Sequence, residues 1–212
     1  MNEKFFDLKK EKQDRMINAA LKVFALNGYR HASTDDIVRE AAISKGLLFH
    51  YFENKLGVYA FVYDYSVRYL LLEFSTAVDA KETDLFTLMQ QVETGKMHAM
   101  CGYPYLQPFL NRAQTENVSE ALLAVEERKQ QLEDYLESVF ARADLGKYAS
   151  AEDAVKLRKM LELTIKGLMN ERILEDAFQP EMLYEEITEY LNLSRRLAER
   201  STQPSDEAFS EK

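Results

Sequence analysis

Apolar residues recur every three or four positions along almost the whole chain, and this helical spacing constrains the fold more than any other feature. Ile17, Ala20, Leu21 and Phe24 form one such stripe, and the stretch 118–143 carries the clearest one. We find no convincing period-two alternation of the kind a half-buried strand shows. Only 7 glycines and 4 prolines occur among 212 residues, which argues against a turn-rich all-β fold. We therefore predict an all-α protein.

Capping residues divide this pattern into nine helices. Ser33, Ser44 and Ser150 are suited to helix starts, and Gly28 is suited to the left-handed residue past a helix end. The predicted helices cover about 10–27, 34–41, 45–51, 54–76, 84–101, 104–114, 118–143, 151–176 and 181–199. We predict three regions: a helix-turn-helix domain over 1–53, a larger helical domain over 54–200, and a polar, disordered tail over 201–212.

Composition limits the class of protein. Hydrophobic residues make up 46% and charged residues 30%, an ordinary globular mixture. The single cysteine, Cys101, excludes an intrachain disulfide and is typical of a reducing compartment. No apolar run approaches the roughly 18 residues of a membrane span, and the N-terminus has no apolar signal core. We expect a soluble cytoplasmic protein with no membrane partner.

The charge is unevenly distributed. The chain has 27 Lys and Arg against 36 Asp and Glu, a net charge of −9, but residues 1–60 hold 10 basic and 8 acidic side chains. A net acidic protein does not bind nucleic acid at large, whereas a locally basic segment can, because attraction to phosphate is screened beyond about 8 Å. Chance clustering of solvated surface charge explains the asymmetry equally well.

Catalytic patterns are missing from the sequence. It contains no glycine-rich phosphate loop and no evident pair of catalytic carboxylates. His98 and Cys101 could lie one helical turn apart, but two ligands are weak support for a metal site, and we expect Cys101 to be a buried small hydrophobe. We predict no enzyme, cofactor or metal. A helical enzyme, the rival class, would need a convergent set of polar residues that the sequence does not show.

Residues 33–52 carry the pattern of a helix-turn-helix. A short helix ends near Ala41, a tight turn follows at Ala42 and Ile43, and Ser44 caps the next helix. In this motif the second helix enters the major groove of DNA and the first crosses the backbone. The free backbone N–H groups at the start of the second helix can bind a phosphate.

The start of this recognition helix offers groups suited to DNA. Lys45 and His50 can donate to guanine O6 and N7, and Gly46 allows a close approach. A simple first-turn glycine remains the alternative for Gly46. Leu47 either contacts a thymine methyl group or packs internally.

The aromatic residues of the same helix divide between two faces. Leu48 and Phe52 are four residues apart and should pack inward. Phe49 and Tyr51 are then left in solvent, and contact with the DNA backbone is one reason for exposed aromatics.

Three stretches resemble the DNA-binding domain of the tetracycline-repressor (TetR/AcrR) family. They are AALKVFALNGY at 19–29, TDDIV at 34–38 and ISKGLLFHYFENK at 43–55. The resemblance is specific over residues 12–60 and is one of architecture beyond them. It implies a homodimer on double-stranded DNA, with the last two helices of each copy in a four-helix bundle. It also implies a repressor that a small-molecule effector releases from a palindromic operator.

The resemblance also implies which residues contact DNA. Ser33, Thr34 and Lys55 would bind phosphates, and the remaining positions would face base edges, flanking bases and backbone: Ser44, Lys45, Gly46, Leu47, Phe49, His50 and Tyr51. The chain departs from the family pattern at four positions. These are Ala42 for a turn glycine, Leu47 for a small polar residue, Phe49 for tyrosine and Gly57 for an acidic residue.

The helix over 151–176 is apolar around much of its circumference, so more than one of its faces must be covered. A second copy of the chain is the simplest cover, and a central helix in a monomer is the alternative. The predicted interface residues on the last two helices are Leu157, Leu161, Leu168, Leu183, Ile187 and Leu191.

An effector pocket should be apolar with a few polar groups. The candidates are aromatic, sulfur-containing or polar residues on largely apolar helices: Tyr65, Tyr69, Met89, His98, Tyr103, Tyr105, Phe109 and Tyr135. Ordinary core packing is the alternative for each. The acidic balance favours a neutral or cationic effector, and the fourth helix, common to both domains, is the expected lever. A DNA-binding protein without an effector is the remaining alternative.

Overall fold

A computed structural model describes residues 3–148, 150–175 and 178–200, and within these ranges the chain is all-α, as predicted. The described residues form short 3-10 helices at Glu3–Asp7 and Leu145–Lys147 and nine α-helices: α1 (Lys10–His31), α2 (Thr34–Glu40), α3 (Lys45–Phe52), α4 (Lys55–Ala77), α5 (Leu85–Gly102), α6 (Leu106–Ala113), α7 (Ser119–Phe140), α8 (Ala151–Arg172) and α9 (Pro180–Arg200). Each predicted helix is present, with ends displaced by a few residues. The 3-10 helices were not predicted, and the tail over 201–212 lies outside the described residues.

The predicted caps form. Ser33 Oγ accepts from the Asp35 N–H at 3.1 Å, Ser44 Oγ from the Leu47 N–H at 3.2 Å, and Ser150 Oγ from the Asp153 N–H at 3.3 Å. Each bond satisfies one of the backbone donors that a helix start leaves unpaired. Helix starts are therefore set locally, by residues that the sequence shows directly.

Helix α1 is interrupted at Gly28, the residue at which the sequence predicted that the helix would end. Gly28 has φ +68° and ψ 173°, outside helical values, and one more helical turn follows it, up to His31. A side chain at this φ would be strained, so glycine suits the position. This break turns Tyr29 toward the chain after α6, where its backbone N–H donates to Glu116 Oε2 at 2.9 Å.

Two hydrophobic clusters hold the helices together. The larger one extends from Phe5 to Val139 and includes residues of α1–α7. The smaller one joins α5 to α8 and α9. The larger cluster contains residues on both sides of the predicted boundary at 53/54, so the two predicted domains share one core. The boundary itself stays a prediction. In the described ranges no helix is both long and apolar enough to cross a membrane.

The residues predicted to contact a second copy face the chain's own interior. Leu161, Leu183, Ile187 and Leu191 are buried in the smaller cluster. Leu157 and Leu168 are half-buried against it. For the four buried residues that assignment was wrong, because apolar spacing does not tell which face of a helix meets the chain's own core. For Leu157 and Leu168 it stays a prediction. The apolar residues left exposed on these helices are others: Val155, Met160, Leu163, Met182, Tyr190, Leu193 and Leu197.

Candidate functional site

The recognition helix α3 presents its start to solvent. Ser44, Lys45, Gly46 and His50 are exposed. Leu48 is buried on the opposite face, as is Phe52, which confirms the predicted inward pair. The side chains predicted to read DNA are therefore held outward by packing on the other side of the helix.

Lys45 is paired within the protein. Its Nζ lies 2.8 Å from Asp35 Oδ1, and both side chains are largely exposed. The same ammonium lies 6.0 Å from the centre of the Phe49 ring. The ion pair joins the start of α2 to the start of α3, the two helix ends predicted to face DNA. Binding of Lys45 to a base or phosphate would break this pair, which is weak because it is solvated.

No contact inside the chain explains why position 46 is a glycine. A methyl group built at this position meets no atom within 4 Å outside its own helix and chain neighbours. Internal packing therefore does not require glycine here. The interpretation that Gly46 allows close approach of DNA stays a prediction.

The turn of the helix-turn-helix contains an alanine in the left-handed region. Ala42 has φ +51°, and the Ile43 N–H donates to the Val38 carbonyl at 3.0 Å to close the turn. Glycine adopts this conformation without the strain that a Cβ brings. The turn that glycine usually makes is thus formed here with alanine.

The N-terminal 3-10 helix supports the end of α3, which sequence reasoning missed. Phe5 is 0% exposed. Its ring centre lies 5.8 Å from that of Tyr51, 5.3 Å from that of Phe52 and 4.8 Å from that of Phe61. Tyr51 is therefore half-buried rather than free in solvent, so the expectation of a fully exposed ring was wrong. Phe49 is half-buried too.

Lys55 makes its contacts within the protein. Its Nζ donates to the Tyr29 carbonyl at 2.8 Å and to the Ala32 carbonyl at 3.3 Å, and lies 4.5 Å from the centre of the Tyr29 ring. A cation is favourable beside the exposed carbonyls at a helix end. This role competes with the predicted phosphate contact, which stays a prediction.

Gly57 explains one departure from the family pattern. A methyl group there would overlap the Phe52 carbonyl oxygen, while the Gly57 N–H donates to Asn54 Oδ1 at 2.9 Å. Glycine thus allows the end of α3 to lie directly against the start of α4. The same bond makes Asn54 the cap of α4.

Three of the predicted effector residues form a packed aromatic cluster. Tyr65 and Tyr103 share a hydrogen bond of 2.7 Å between their hydroxyls, and the Tyr69 ring lies 5.1 Å from that of Tyr103. The Tyr103 hydroxyl also donates to Asp14 on α1 at 2.6 Å. Burial and the hydrogen bonds with Asp14 and Tyr65 raise the pKa of Tyr103 above its ordinary value. These residues connect α1, α4 and α5.

Most of the other effector candidates also pack or pair within the chain. His98 is exposed, with Nδ1 3.8 Å from Glu73, and Phe109 is buried 6.0 Å from the Phe24 ring. Tyr135 stacks on Phe74 at 5.5 Å, and Tyr105 packs against the larger cluster. The alternative of core packing therefore describes Phe109 and Tyr135.

Cys101 also differs from its prediction. It is exposed, not buried, and its Sγ lies 3.3 Å from Glu181 Oε1. Partial burial and the Glu181 carboxylate raise the pKa of the thiol to about 11. Among the described residues no group of three acidic, cysteine or histidine side chains is placed to hold a metal ion.

A cavity of about 580 Å³ lies among α4–α8, and Met89 is the one effector candidate that lines it. Its buried walls combine apolar side chains with Glu93, which pairs with Lys96 at 2.6 Å, and with Gln107. This volume falls in the range of about 300–1,000 Å³ that holds small organic ligands. Gln107 and Glu93 were missed because their common position depends on tertiary packing.

A second hollow, of about 600 Å³, lies between the α3–α4 junction and α7. Asp64 in its wall is already paired with Arg68, at 3.0 Å, and with Arg128. Leu123, which also lines it, is largely exposed. This hollow therefore offers a ligand fewer buried groups than the cavity among α4–α8.

A capped, outward-facing second helix behind a tight turn, joined to a larger helical body, is the arrangement of a helix-turn-helix DNA-binding domain. Comparison with known proteins agrees. Residues 16–60 match the family model described as bacterial regulatory proteins, tetR family. The N-terminal part of the chain is therefore similar to the DNA-binding domain of TetR-family regulatory proteins.

Curated relatives match the N-terminal part. The chain is 38% identical over 78 residues to the uncharacterized HTH-type transcriptional regulator YuxN of Bacillus subtilis, covering 35% of this chain and 26% of the relative. It is 41% identical over 49 residues to the uncharacterized HTH-type transcriptional regulator TtgW of Pseudomonas putida, covering 23% of this chain and 37% of the relative. The match thus spans about a quarter to just over a third of the relatives' length.

Solved structures match nearly the whole fold. A TetR family transcriptional regulator from Chloroflexus aurantiacus superposes with a TM-score of 0.66 at 21% identity, covering 94% of this chain and 96% of the other. The fatty acid degradation regulator FadR from Bacillus halodurans gives a TM-score of 0.58 at 19% identity, covering 84% of this chain and 96% of that one. At these identities the likeness shows the fold alone.

Proposed function

We propose that the protein is a transcriptional repressor that binds a near-palindromic operator as a homodimer and leaves it when a small molecule enters the cavity among α4–α8. The observation that carries the DNA-binding part is the solvent-facing start of α3, with Ser44, Lys45 and Gly46 held outward by buried Leu48. Repression and release follow the family resemblance.

The exposed apolar residues of α8 and α9 support the homodimer. Met160 and Leu163 lie on one face of α8, and Met182, Leu193 and Leu197 lie on one face of α9. Exposed apolar residues collected on two neighbouring helices are typical of a protein interface. A two-fold dimer would present two copies of α3 about 34–36 Å apart, one turn of DNA.

Helix α6 supports the coupling between effector and DNA. Gln107 and Asn111 line the cavity, while Phe109 packs on Phe24 of α1. Helix α1 packs more extensively against α6 than against α4. An effector that displaces α6 therefore acts on the DNA-binding helices directly, in addition to the lever expected in α4. The resulting change in operator affinity can be no larger than the difference between the effector's affinities for the DNA-bound and the released conformations.

Selection of bound duplexes from a random DNA pool at physiological salt tests the proposal. We expect a palindromic motif from the natural chain, lost with Lys45→Ala and kept with Lys81→Ala, which removes an exposed lysine remote from α3. Recovery of no motif, or the same motif from both variants, would contradict the assignment of α3.

A regulator without an effector is the second candidate, favoured by the core packing of Phe109 and Tyr135. The two differ in ligand response. A ligand that binds only the folded chain raises its melting temperature and, under our proposal, lowers operator affinity. A chain that binds its operator yet responds to no small molecule would favour this second candidate.

A further inference from the structure

We infer that the cavity among α4–α8 binds an amphipathic anion, with a hydrocarbon body on its apolar inner wall and an anionic head group attracted by Lys129 and Lys166. This inference rests on the proposed function, which makes the cavity the effector site. Three features of the wall carry it: buried apolar side chains, two half-buried lysines without a carboxylate partner, and carboxylates that are either paired or solvated.

The inner wall of the cavity is apolar. Leu70 of α4, Met89 and Val92 of α5 and Leu110 of α6 line it, and each is at most 3% exposed. Burial of a hydrocarbon against such side chains is favourable, because it removes apolar surface from water. At about 580 Å³ the cavity can hold a small ligand whose larger part is a hydrocarbon chain.

Two lysines of the same wall lack a carboxylate partner. Lys129 on α7 and Lys166 on α8 line the cavity and are half-buried. Within the described residues neither forms an ion pair, and Lys166 Nζ donates to an uncharged acceptor, Gln114 Oε1, at 3.1 Å. A charge beside a low-dielectric wall attracts an opposite charge more strongly than a fully solvated one does. The two ammonium groups therefore favour an anionic head group.

The less exposed carboxylates of the wall are already compensated. Glu93, with a side chain 7% exposed, lies 2.6 Å from Lys96. Glu162 is half-buried and lies 3.5 Å from Arg158 and 3.8 Å from Lys159. A cationic ligand would have to compete with these basic residues of the chain for either carboxylate.

The remaining acidic residues that line the cavity are Glu133 and Glu137 of α7, and both are exposed. Exposed charges interact weakly, because water and salt screen them. The unpaired charges on the half-buried part of the wall are thus positive, although the chain as a whole carries a net charge of −9. This local balance favours an anion over the neutral or cationic effector that the charge of the whole chain favours.

The bond between Lys166 and Gln114 connects this lysine to the proposed release. Gln114 directly follows α6, which packs extensively against α1. An anion beside Lys166 competes with the Gln114 side-chain oxygen for the same ammonium group, and a charged acceptor forms the stronger hydrogen bond. Ligand binding therefore replaces a contact between α8 and the end of α6.

Calorimetry on the full chain with three ten-carbon probes tests this chemistry: decanoate, 1-decanol and decylammonium, at neutral pH and below their micelle-forming concentrations. We expect decanoate to bind about 3- to 10-fold more tightly than decylammonium, because the two lysines attract one head group and repel the other. The uncharged 1-decanol reports whether the apolar inner wall is intact.

Variants assign the preference to the lysines. Lys129→Met and Lys166→Met keep an unbranched stem and remove the ammonium group. Each should weaken decanoate binding about 3- to 10-fold and change 1-decanol binding by less than about 2-fold. Lys159→Met is the matched control, since it removes the same charge from an exposed lysine of the same wall that is paired with Glu162. It should change decanoate binding by less than about 2-fold.

Several results would overturn the inference: decylammonium that binds as tightly as decanoate, decanoate affinity unchanged in both lysine variants, an equal loss of decanoate affinity in Lys159→Met, or no binding of decanoate. Failure of the proposed function is recognised separately, by measuring operator affinity with and without decanoate. If decanoate binds through the two lysines but leaves operator affinity unchanged, the ligand chemistry stands and the release mechanism falls.

Discussion

The Tyr103 hydroxyl lies 2.6 Å from the Asp14 carboxylate, which joins the residue that follows α5 to the first helix. Lys10 lies 2.7 Å from the same carboxylate, and Tyr65 lies 2.7 Å from the same hydroxyl. This group of four polar residues fixes the start of α1 against the larger helical body. The DNA-binding helices are thus tied to the larger body by hydrogen bonds as well as by the shared apolar core.

Tyr103→Phe should destabilise the protein by about 1–2 kcal/mol, because it removes a buried hydroxyl that bonds both Asp14 and Tyr65. Urea unfolding at pH 7 measures the change. Tyr190→Phe, on the exposed face of α9, is the matched control and should change stability by less than about 0.5 kcal/mol. Equal effects of the two substitutions would contradict a structural role for the Tyr103 hydroxyl.

Gly57→Ala and Gly46→Ala should have opposite effects. The first places a methyl group against the Phe52 carbonyl oxygen and should cost about 1–3 kcal/mol of unfolding free energy. The second meets no atom, so stability should be unchanged or up to about 1 kcal/mol greater, while operator affinity falls if α3 approaches DNA closely. Thermal unfolding and a binding titration separate the two effects. Unimpaired operator binding by Gly46→Ala would exclude close approach at this position.

Phe5→Ala should weaken operator binding without removing any group predicted to touch DNA. Its ring packs against Tyr51, Phe52 and Phe61, so its loss leaves the end of α3 unsupported and costs up to about 3–5 kcal/mol. Phe6→Ala changes the neighbouring, exposed ring and is the control. Operator affinity measured by fluorescence anisotropy should fall for the first variant and stay close to natural for the second. The reverse order would contradict the supporting role of Phe5.

Asp84 should make stability depend on acid pH. Burial raises the pKa of this carboxyl, but hydrogen bonds from Thr87 and the charge of Arg195 outweigh it and hold the pKa below its ordinary value. A carboxyl with a lowered folded pKa stabilises the protein above its unfolded pKa and loses that contribution as the pH falls through the folded value.

The test compares Asp84→Asn with the natural chain by urea unfolding at pH 7 and at pH 3.5. The variant should be less stable at pH 7 by about 0.5–1 kcal/mol, and the gap should narrow at pH 3.5. Asp134→Asn, at an exposed carboxyl of α7, should show a smaller gap. A gap for Asp84→Asn that widens in acid would contradict the sign.

Leu193→Glu should dissociate the proposed homodimer, because it places a charge in the exposed apolar face of α9. Light scattering coupled to size exclusion measures the mass. Leu123→Glu introduces the same charge at another exposed leucine, on α7, and should leave the mass unchanged. A natural chain that is monomeric throughout would contradict the dimer itself.

The helices could be predicted from the sequence because their signals are local. Apolar spacing is a property of one helix, and a serine such as Ser44 caps a helix through neighbours three residues away. The 3-10 helix around Phe5 escaped prediction because five residues are too few to show a period. Its burial depends on Phe61, more than fifty positions away in the chain.

The candidate sites were harder to predict, because each needs a choice between faces or partners. The exposed side of α3 followed from Leu48 and Phe52 alone. The apolar faces of α8 could not be ranked without knowing that Leu161 meets α9 and α5. Aromatic residues such as Tyr103 were predicted to contact the effector, but Tyr103 is hydrogen-bonded to Tyr65. Gln107 does line the cavity, and nothing in the sequence distinguishes it from other polar residues.

The ion pair between Lys45 and Asp35 also bears on how operator affinity depends on ionic strength. A lysine that attracts phosphate normally displaces condensed cations from DNA, and each displaced cation steepens the loss of affinity with ionic strength. Under the proposed contact, Lys45 would leave Asp35 for DNA, and the freed carboxylate would attract a cation from solution. Fewer cations would then be released in total, so operator affinity should fall less steeply with ionic strength than it would for an unpaired lysine.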